Sequence, residues 1–404
     1  MKNAIRLVLF NLLLLMLLAE VASLFYIKIV NPHPWVGEKN PTYLEFSWTN
    51  QYDTLPDPMA PGAIDTAVPW TTWHPRNRTH RLVSDCFDVL CHYNSLGARG
   101  PLPDSANPET ILVLGDSFTD GYGLNEDSTV PARITALSGK QTLNLGMSGH
   151  FGTTQMSLIY HTFAPRFRHR QVLVLMYLGN DFQDNDVRRH STLFPRRYRP
   201  YRVLMGSDSS TIIYKGSPDS SEFSWAKFDL HRQAGFVKLR ERGLQTVLFR
   251  KKEALWKRVY SLTYTSRITD YLRNRYRESQ VNPDQFPSEL TYDPTSWEIL
   301  KADILSIIEV SEKSGARATF INLPSRDLLQ RCSASVKTAG EYRRLEQKIR
   351  DLCAGHHAQY LSFFDHLNGS NENLSLGSLF FPCDAHYSTD GSRALAAFIC
   401  AQNL

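Results

Sequence analysis

An apolar run that halts at a glycine and turns at once into a polar loop constrains this chain most: Ile111-Leu-Val-Leu-Gly115-Asp116-Ser117-Phe-Thr-Asp-Gly121-Tyr-Gly123. Ile111 to Leu114 is continuous rather than alternating, as a strand buried on both faces of a parallel sheet requires. Open α/β sheets bind ligands beyond the carboxyl ends of their strands, so Ser117 stands where such a sheet displays reactive groups. Gly-Asp-Ser alone is a common turn, since Gly permits positive φ and Asp and Ser bond to nearby backbone.

The same strand, loop and helix cycle recurs along the chain. Strands are expected at 111–114, 142–145, 172–177, 318–322 and 359–363, with helices at 128–138 and 153–163. Trp297, Leu300, Ile304 and Ile307 recur at helical spacing before Gly315, a good helix-ending residue. Leu345, Ile349 and Leu352 mark a further helix, and Ala394 to Ile399 lie on the last. Five parallel strands with helices on both faces make a flavodoxin-like, three-layer α/β/α sandwich.

The core therefore occupies 109–185 and 296–404. About 130 residues between the third and fourth strands far exceed what a crossover needs, so 186–295 is an insertion. Its centre, Phe236 to Glu278, is rich in Arg, Lys, Leu and Tyr and is read as helical, making the insertion a lid, an acceptor platform or plain scaffold. Residues 31–108, rich in Pro and Trp, read as a linker and a segment wrapping the core, with Arg99 in a surface turn by default and a contact to the site as the alternative.

Residues 1–30 form the other unmistakable segment. Leu7 to Ile27 is almost wholly apolar, follows Lys2 and Arg6, and is long enough to cross a bilayer once. A signal peptide is the alternative, but the run exceeds the usual signal-peptide core and Glu20 interrupts the small-residue site near Ala19 and Ala22. An uncleaved anchor is expected, with the N-terminus cytoplasmic and the remainder outside, although Lys28 weakens the charge asymmetry. Asn11 and Glu20 are costly in lipid, though Glu20 is near enough to one end to reach the interface.

A net charge of +5 is modest, and the basic clusters at Arg188-Arg189, Arg196 to Arg199 and Lys238 to Arg277 read as solvated faces, with attraction to anionic lipid heads or polyanionic glycans as the minority alternative. No motif points to nucleic acid. Six cysteines, Cys86, Cys91, Cys332, Cys353, Cys383 and Cys400, permit disulfides in an exported chain, with Cys86 and Cys91 closest in sequence. None has zinc-ligand spacing, and no metal or other cofactor is expected.

Four loops at strand ends carry candidate chemistry: Ser117 after the first strand, the Gly-rich stretch Asn144 to Gly152 after the second, Asn180-Asp181 after the third, and Asp384-Ala-His386 after the fifth. A serine hydroxyl is a weak nucleophile and needs an imidazole to take its proton, and the imidazole needs an orienting acceptor. His386 and Asp384 suit those roles. Attack on an ester carbonyl makes an oxyanion, for which the backbone N–H groups of Ser117 and Gly149 and the amide of Asn180 are candidate donors. Gly152 is a second candidate for the glycine.

On these residues the chain resembles the SGNH/GDSL hydrolase family. Gly115-Asp116-Ser117 looks like its first block, Ser148-Gly149 its second, Gly179-Asn180-Asp181 its third and Asp384-x-His386 its last. The resemblance implies the SGNH hydrolase fold, Ser117 as nucleophile, Gly149 and Asn180 in an oxyanion hole, and Asp384 with His386 completing a triad. It also implies an O-acyl, above all O-acetyl, ester of an extracytoplasmic glycan as substrate. The Asp-x-His spacing, shorter than the Asp-x-x-His more usual in the hydrolases, is familiar from envelope-associated members and from relatives that acetylate exopolysaccharides. Three functions follow as expectations: an esterase, an O-acyltransferase with the same triad, and a non-catalytic glycan-binding or assembly protein.

Overall fold

The structure is a computed structural model and describes residues 2–32, 34–37, 42–46, 74, 76–84, 86–149, 151–193, 199–206, 209–215, 263–369 and 375–402. The N-terminal helix α1 (Lys2–Phe25) continues as a π-helical turn to Val30. Three antiparallel strands follow, β1 (Thr42–Phe46), β2 (Arg78–Val83) and β3 (Asp88–Tyr93). The core then opens with β4 (Ile111–Gly115), α2 (Ser117–Asp120), α3 (Val130–Ser138), β5 (Thr142–Gly146), α4 (Thr153–Phe163), β6 (Gln171–Met176) and α5 (Leu178–Asp184).

Within 186–295 come a short helix α6 (His190–Leu193), an antiparallel hairpin of β7 (Arg199–Leu204) and β8 (Ser210–Lys215), and helix α7 (Tyr264–Ser279). Residues 236–262 of the expected helical centre lie outside the described residues. The core resumes with α8 (Pro294–Lys313), β9 (Arg317–Asn322), α9 (Arg326–Ala334), α10 (Val336–Ala354) and β10 (Gln359–Ser362). It ends with α11 (Phe363–Gly369), α12 (Leu376–Leu379) and α13 (Thr389–Cys400).

The five core strands lie parallel in the order β10-β9-β6-β4-β5, each within a residue of its expected bounds. Counted along the core, this is the 2-1-3-4-5 order of flavodoxin-like sheets. The chain reverses direction across the sheet at β4, so right-handed crossovers put α3 and α4 on opposite faces. α3 packs with α13 on one face and α4 with α8 on the other. Every residue of β4 is buried, which explains its unbroken apolar sequence.

The sheet's order also sets the location of the site. β4 and β5 end together, Gly115 opposite Gly146, beside β6. A Cβ on Gly146 would meet the Asp120 amide nitrogen at 2.1 Å, and one on Gly115 would meet Thr119 Oγ1 at 1.9 Å. Two bare backbones therefore let α2 lie directly on the sheet edge and hold Ser117 at its N-terminus.

The segment before the core does more than wrap it. Leu82, Phe87, Val89, Cys91 and Tyr93 form a small second core with Leu124, Phe381 and Cys383 from two loops of the main domain. Cys86 is bonded to Cys383, 297 residues away, while its sequence neighbour Cys91 is a buried free thiol. The pair closest in sequence is thus not the bonded pair, because β3 carries Cys91 inward among apolar residues and the turn at Cys86 faces the Cys383 loop.

Arg99, read from sequence as part of a surface turn, is only 2 % exposed. It forms isolated bridges to Tyr93 and Asn144, joining the N-terminal strands to β5. Arg199 likewise belongs to no solvated face: it is fully buried, donating to Asp184 O at 2.7 Å and lying over the Phe151 ring. The hairpin at the start of the insertion is therefore docked behind the loops that follow β5 and β6.

Closing so long a loop with a covalent bond should contribute roughly 2–5 kcal/mol. Thermal unfolding with and without a thiol reductant checks this: the midpoint should fall on reduction in the native protein and be insensitive to reductant in the double variant Cys86→Ser/Cys383→Ser.

Candidate active site

The turn after β4 is held from within. Asp116 caps α2, its carboxylate accepting the Phe118 N–H at 2.9 Å. Asp116 is fully buried while Ser117, the next residue, is half-exposed at the surface of the site. Burial pushes the Asp116 carboxyl up to about 6, against the opposing pull of the Phe118 N–H, His386 and Asn180.

Residues 380–387 fold back as a tight turn. Phe380 bridges Tyr387, and Phe381 N–H donates to His386 O at 3.0 Å. Asp384 Oδ1 accepts the His386 backbone N–H at 2.9 Å and is also hydrogen-bonded to His386 Nδ1. An Asp-x-His spacing suffices because the turn bends the imidazole over its own orienting carboxylate. The other ring nitrogen, Nε2, lies 2.7 Å from Ser117 Oγ. With Nδ1–H directed at Asp384, Nε2 is the acceptor of the serine hydroxyl.

Two aromatic rings pack against the imidazole. Phe118 stands 4.8 Å from its centroid and Tyr122 4.5 Å. Tyr122 is set by the loop after α2, whose carbonyls receive Arg99: Asp120 O and Gly121 O at 2.6 Å each, and Leu124 O at 2.5 Å. A buried guanidinium is costly unless its donors are satisfied; these carbonyls take donors of both terminal nitrogens, while Nε is buried with no hydrogen-bond partner among the described residues. The 380–387 turn is pinned in its turn by the Cys86–Cys383 bond beside Asp384 and by Val36 N–H donating to Pro382 O at 2.7 Å.

The remaining predicted residues approach through one intermediate each. Asn180, in the first turn of α5, donates from Nδ2 to Asp116 Oδ2 at 3.1 Å. Its Oδ1 is buried with no hydrogen-bond partner among the described residues, so the amide is anchored by one N–H and keeps a second. Gly149 has φ +103°, a conformation that favours glycine, and the preceding Ser148 Oγ is hydrogen-bonded to Asp120 of α2. Gly152, the alternative, donates its N–H to Gln155 Oε1 at 2.9 Å at the start of α4, and a Cβ there would strike Asn185 Oδ1 at 2.3 Å. The amide of Gly152 is thus committed to capping a helix.

Asp181 was read only as a neighbour of Asn180. It is fully buried, and burial, followed by the charges of Asp116 and Asp184, drives its carboxyl well above the ordinary range. Sequence reasoning missed Tyr122, whose only signal is its place within the Gly-rich loop after the first strand, whereas Arg99, weighed as a site contact against a surface turn, reaches the carbonyls of the segment that bears Tyr122. Among the described residues there is no cluster of three or more His, Cys, Asp or Glu side chains suited to a metal ion.

Fold and site together define an α/β protein with a serine, a histidine and an aspartate joined in one hydrogen-bonded line at the carboxyl edge of a parallel sheet. No family model matches the chain, and no curated protein matches it. Among solved structures it is similar to one described as a presumed lipolytic protein of the G-D-S-L family from Desulfitobacterium hafniense DCB-2. That match has 13 % identity over 73 % of this chain and 99 % of the other, with a TM-score of 0.33.

Because the Asp116 carboxyl titrates near 6 in the folded state against 3.8 when exposed, the folded protein binds the extra proton between those values. Its contribution to stability is full below about pH 4 and is lost as pH rises through 6, by about 3 kcal/mol. Thermal midpoints from pH 4 to 7 should therefore fall more steeply with rising pH in the native protein than in Asp116→Asn. Parallel profiles would mean that Asp116 is charged throughout.

Proposed function

We propose that the chain is a membrane-anchored, extracytoplasmic serine esterase of the SGNH/GDSL type, acting through an acyl-enzyme on O-acyl esters, above all O-acetyl esters of a glycan. The observation that carries this reading is the line from Ser117 Oγ through His386 to Asp384. Serine, imidazole and carboxylate in hydrogen-bonded sequence are the minimum set that makes a hydroxyl nucleophilic near neutral pH.

In the first step Ser117 Oγ attacks the ester carbonyl carbon while His386 Nε2 takes the hydroxyl proton. The imidazolium is stabilised by Asp384. The oxyanion is received by the backbone N–H groups of Ser117 and Gly149 and by the second N–H of Asn180. Collapse breaks the bond to the alcohol, which leaves with the proton from Nε2, and the acyl group stays on Ser117. Water then gives a proton to His386 and its oxygen to the carbonyl carbon, releasing the acid and restoring the serine.

The anchor is supported by α1, whose segment Arg6–Val30 is long and apolar enough to cross a membrane and exposes most of its side chains. Its C-terminal third is also built into the fold: Glu20 accepts the Tyr264 and Thr265 N–H groups at 2.7 and 3.0 Å. A leader removed after Ala22 would take that contact with it, and this supports the uncleaved reading.

A glycan hydroxyl in place of water would make the same machinery an acyltransferase, the reading favoured by the short Asp384-x-His386 turn. With purified protein, an acyl-labelled ester and an acceptor oligosaccharide, an esterase releases label as free acid and a transferase moves it to the sugar. His386→Ala should lower kcat by several orders of magnitude, because triad members act as a unit. Asn180→Ala should cost about 100-fold, as for one oxyanion donor. Steady-state kinetics on a simple acetyl ester check both, and an active His386→Ala enzyme would mean that another group is the base.

A further inference from the structure

Helix α7 runs beside the last third of α1 as a strut. Its first turn is capped by Glu20, whose carboxylate also receives Thr265 Oγ1 at 2.9 Å. Higher up, Tyr271 lies 6.2 Å from Tyr26. At its far end Glu278 pairs with Arg326 at 2.7 Å, and Arg326 lies over Trp35 at 4.2 Å. The helix thus joins the apolar segment at one end to the catalytic domain at the other.

Its depth follows from helix geometry. A hydrocarbon layer of about 30 Å needs about 20 helical residues. Counted from Leu7, the first residue after Arg6, twenty residues end at Tyr26. Glu20 is six residues lower, or about 9 Å below that boundary. Ending the span at Ala19 would leave only thirteen residues from Leu7, about 20 Å, too short to cross. The turn of α7 bonded to Glu20 therefore cannot clear the hydrocarbon if α1 spans it.

We propose that the first two turns of α7 sit in the outer leaflet beside α1, with Tyr26 and Tyr271 at the hydrocarbon boundary and Arg273, Arg275 and Arg277 in the layer of phospholipid phosphates. This rests on the reading of α1 as an uncleaved anchor. The arrangement gives Glu20 a partner within lipid, since the first N–H groups of α7 are donors that a helix cannot satisfy itself. It sets Tyr26 and Tyr271 at the interface and Arg273, Arg275 and Arg277 just above it, the order expected at a membrane surface. Of the charged residues in the seated turns, Arg267 lies over the Tyr264 ring and Asp270 pairs with Arg273 at 3.0 Å. Leu272 and Tyr276, 58 % and 68 % exposed, lie one turn apart on the same stripe and face the headgroup layer.

The test uses the full chain in nanodiscs of phosphatidylcholine and phosphatidylglycerol. Nitroxides are attached at Ile268→Cys, Tyr276→Cys and Val336→Cys after the half-buried Cys332 and Cys400 are changed to Ser. The label at 268 should be relaxed by oxygen and lose relaxation by a water-soluble nickel chelate, whereas the label at 336 keeps the nickel effect and the one at 276 falls between. In the unmodified protein, a phospholipid carrying a diazirine on its acyl chain should label peptides from 264–272 as well as α1. Nickel relaxation at 268 equal to that at 336, with diazirine label confined to an intact α1, overturns the seating and leaves the anchor standing. A mature chain beginning after residue 22 overturns both.

Discussion

Absence of side chains at two strand ends is the constraint on which the site depends. Gly115 and Gly146 end neighbouring strands in register, and neither could carry a Cβ without striking α2. Because α2 rests on them, Ser117 lies at the sheet edge, its hydroxyl within hydrogen-bonding range of a histidine 269 residues later. Any larger residue at 146 would lift the backbone of Asp120, and with it the whole serine turn.

Around that contact lies a layer of buried polar groups, each with a stated occupation. Asp116 caps α2 and holds Asn180; Arg99 gathers three carbonyls of the loop bearing Tyr122; Ser148 is tied to Asp120 next to Gly149. These groups gain little net stability from their hydrogen bonds, but breaking one strands another in a low-dielectric interior. The network therefore fixes geometry more than it adds stability, as a site with preorganised donors requires. Asp181 is buried beside Asp116, and burial together with the charges of Asp116 and Asp184 holds its carboxyl well above the usual range.

The parallel strands were legible because burial on both faces forces unbroken apolar runs such as Ile111–Leu114, and the helices because Trp297, Leu300, Ile304 and Ile307 keep their period. Ser117 and Asn180 were legible because each follows such a run, whereas Asp384 and His386 lie beyond α11 and α12 from β10 and were legible from their two-residue spacing. What stayed hidden depends on partners distant in sequence. Nothing near Cys86 names Cys383, nothing near Arg99 or Arg199 announces the carbonyls that let a guanidinium be buried, and Glu20 reads as a flaw in an apolar helix until the N-terminus of α7 is set against it. The strands β1 to β3 and the hairpin β7–β8 were missed because short antiparallel strands carry weak periodicity.

Whether Ser117 is an activated nucleophile decides between an enzyme and a binding protein on this fold. Incubating the native protein with a fluorophosphonate probe and mapping the adduct by peptide mass spectrometry measures this directly. A single phosphonylated residue, Ser117, is expected, with loss of that adduct in His386→Ala. A folded native protein that takes no label, or one labelled equally in His386→Ala, would contradict that role for Ser117.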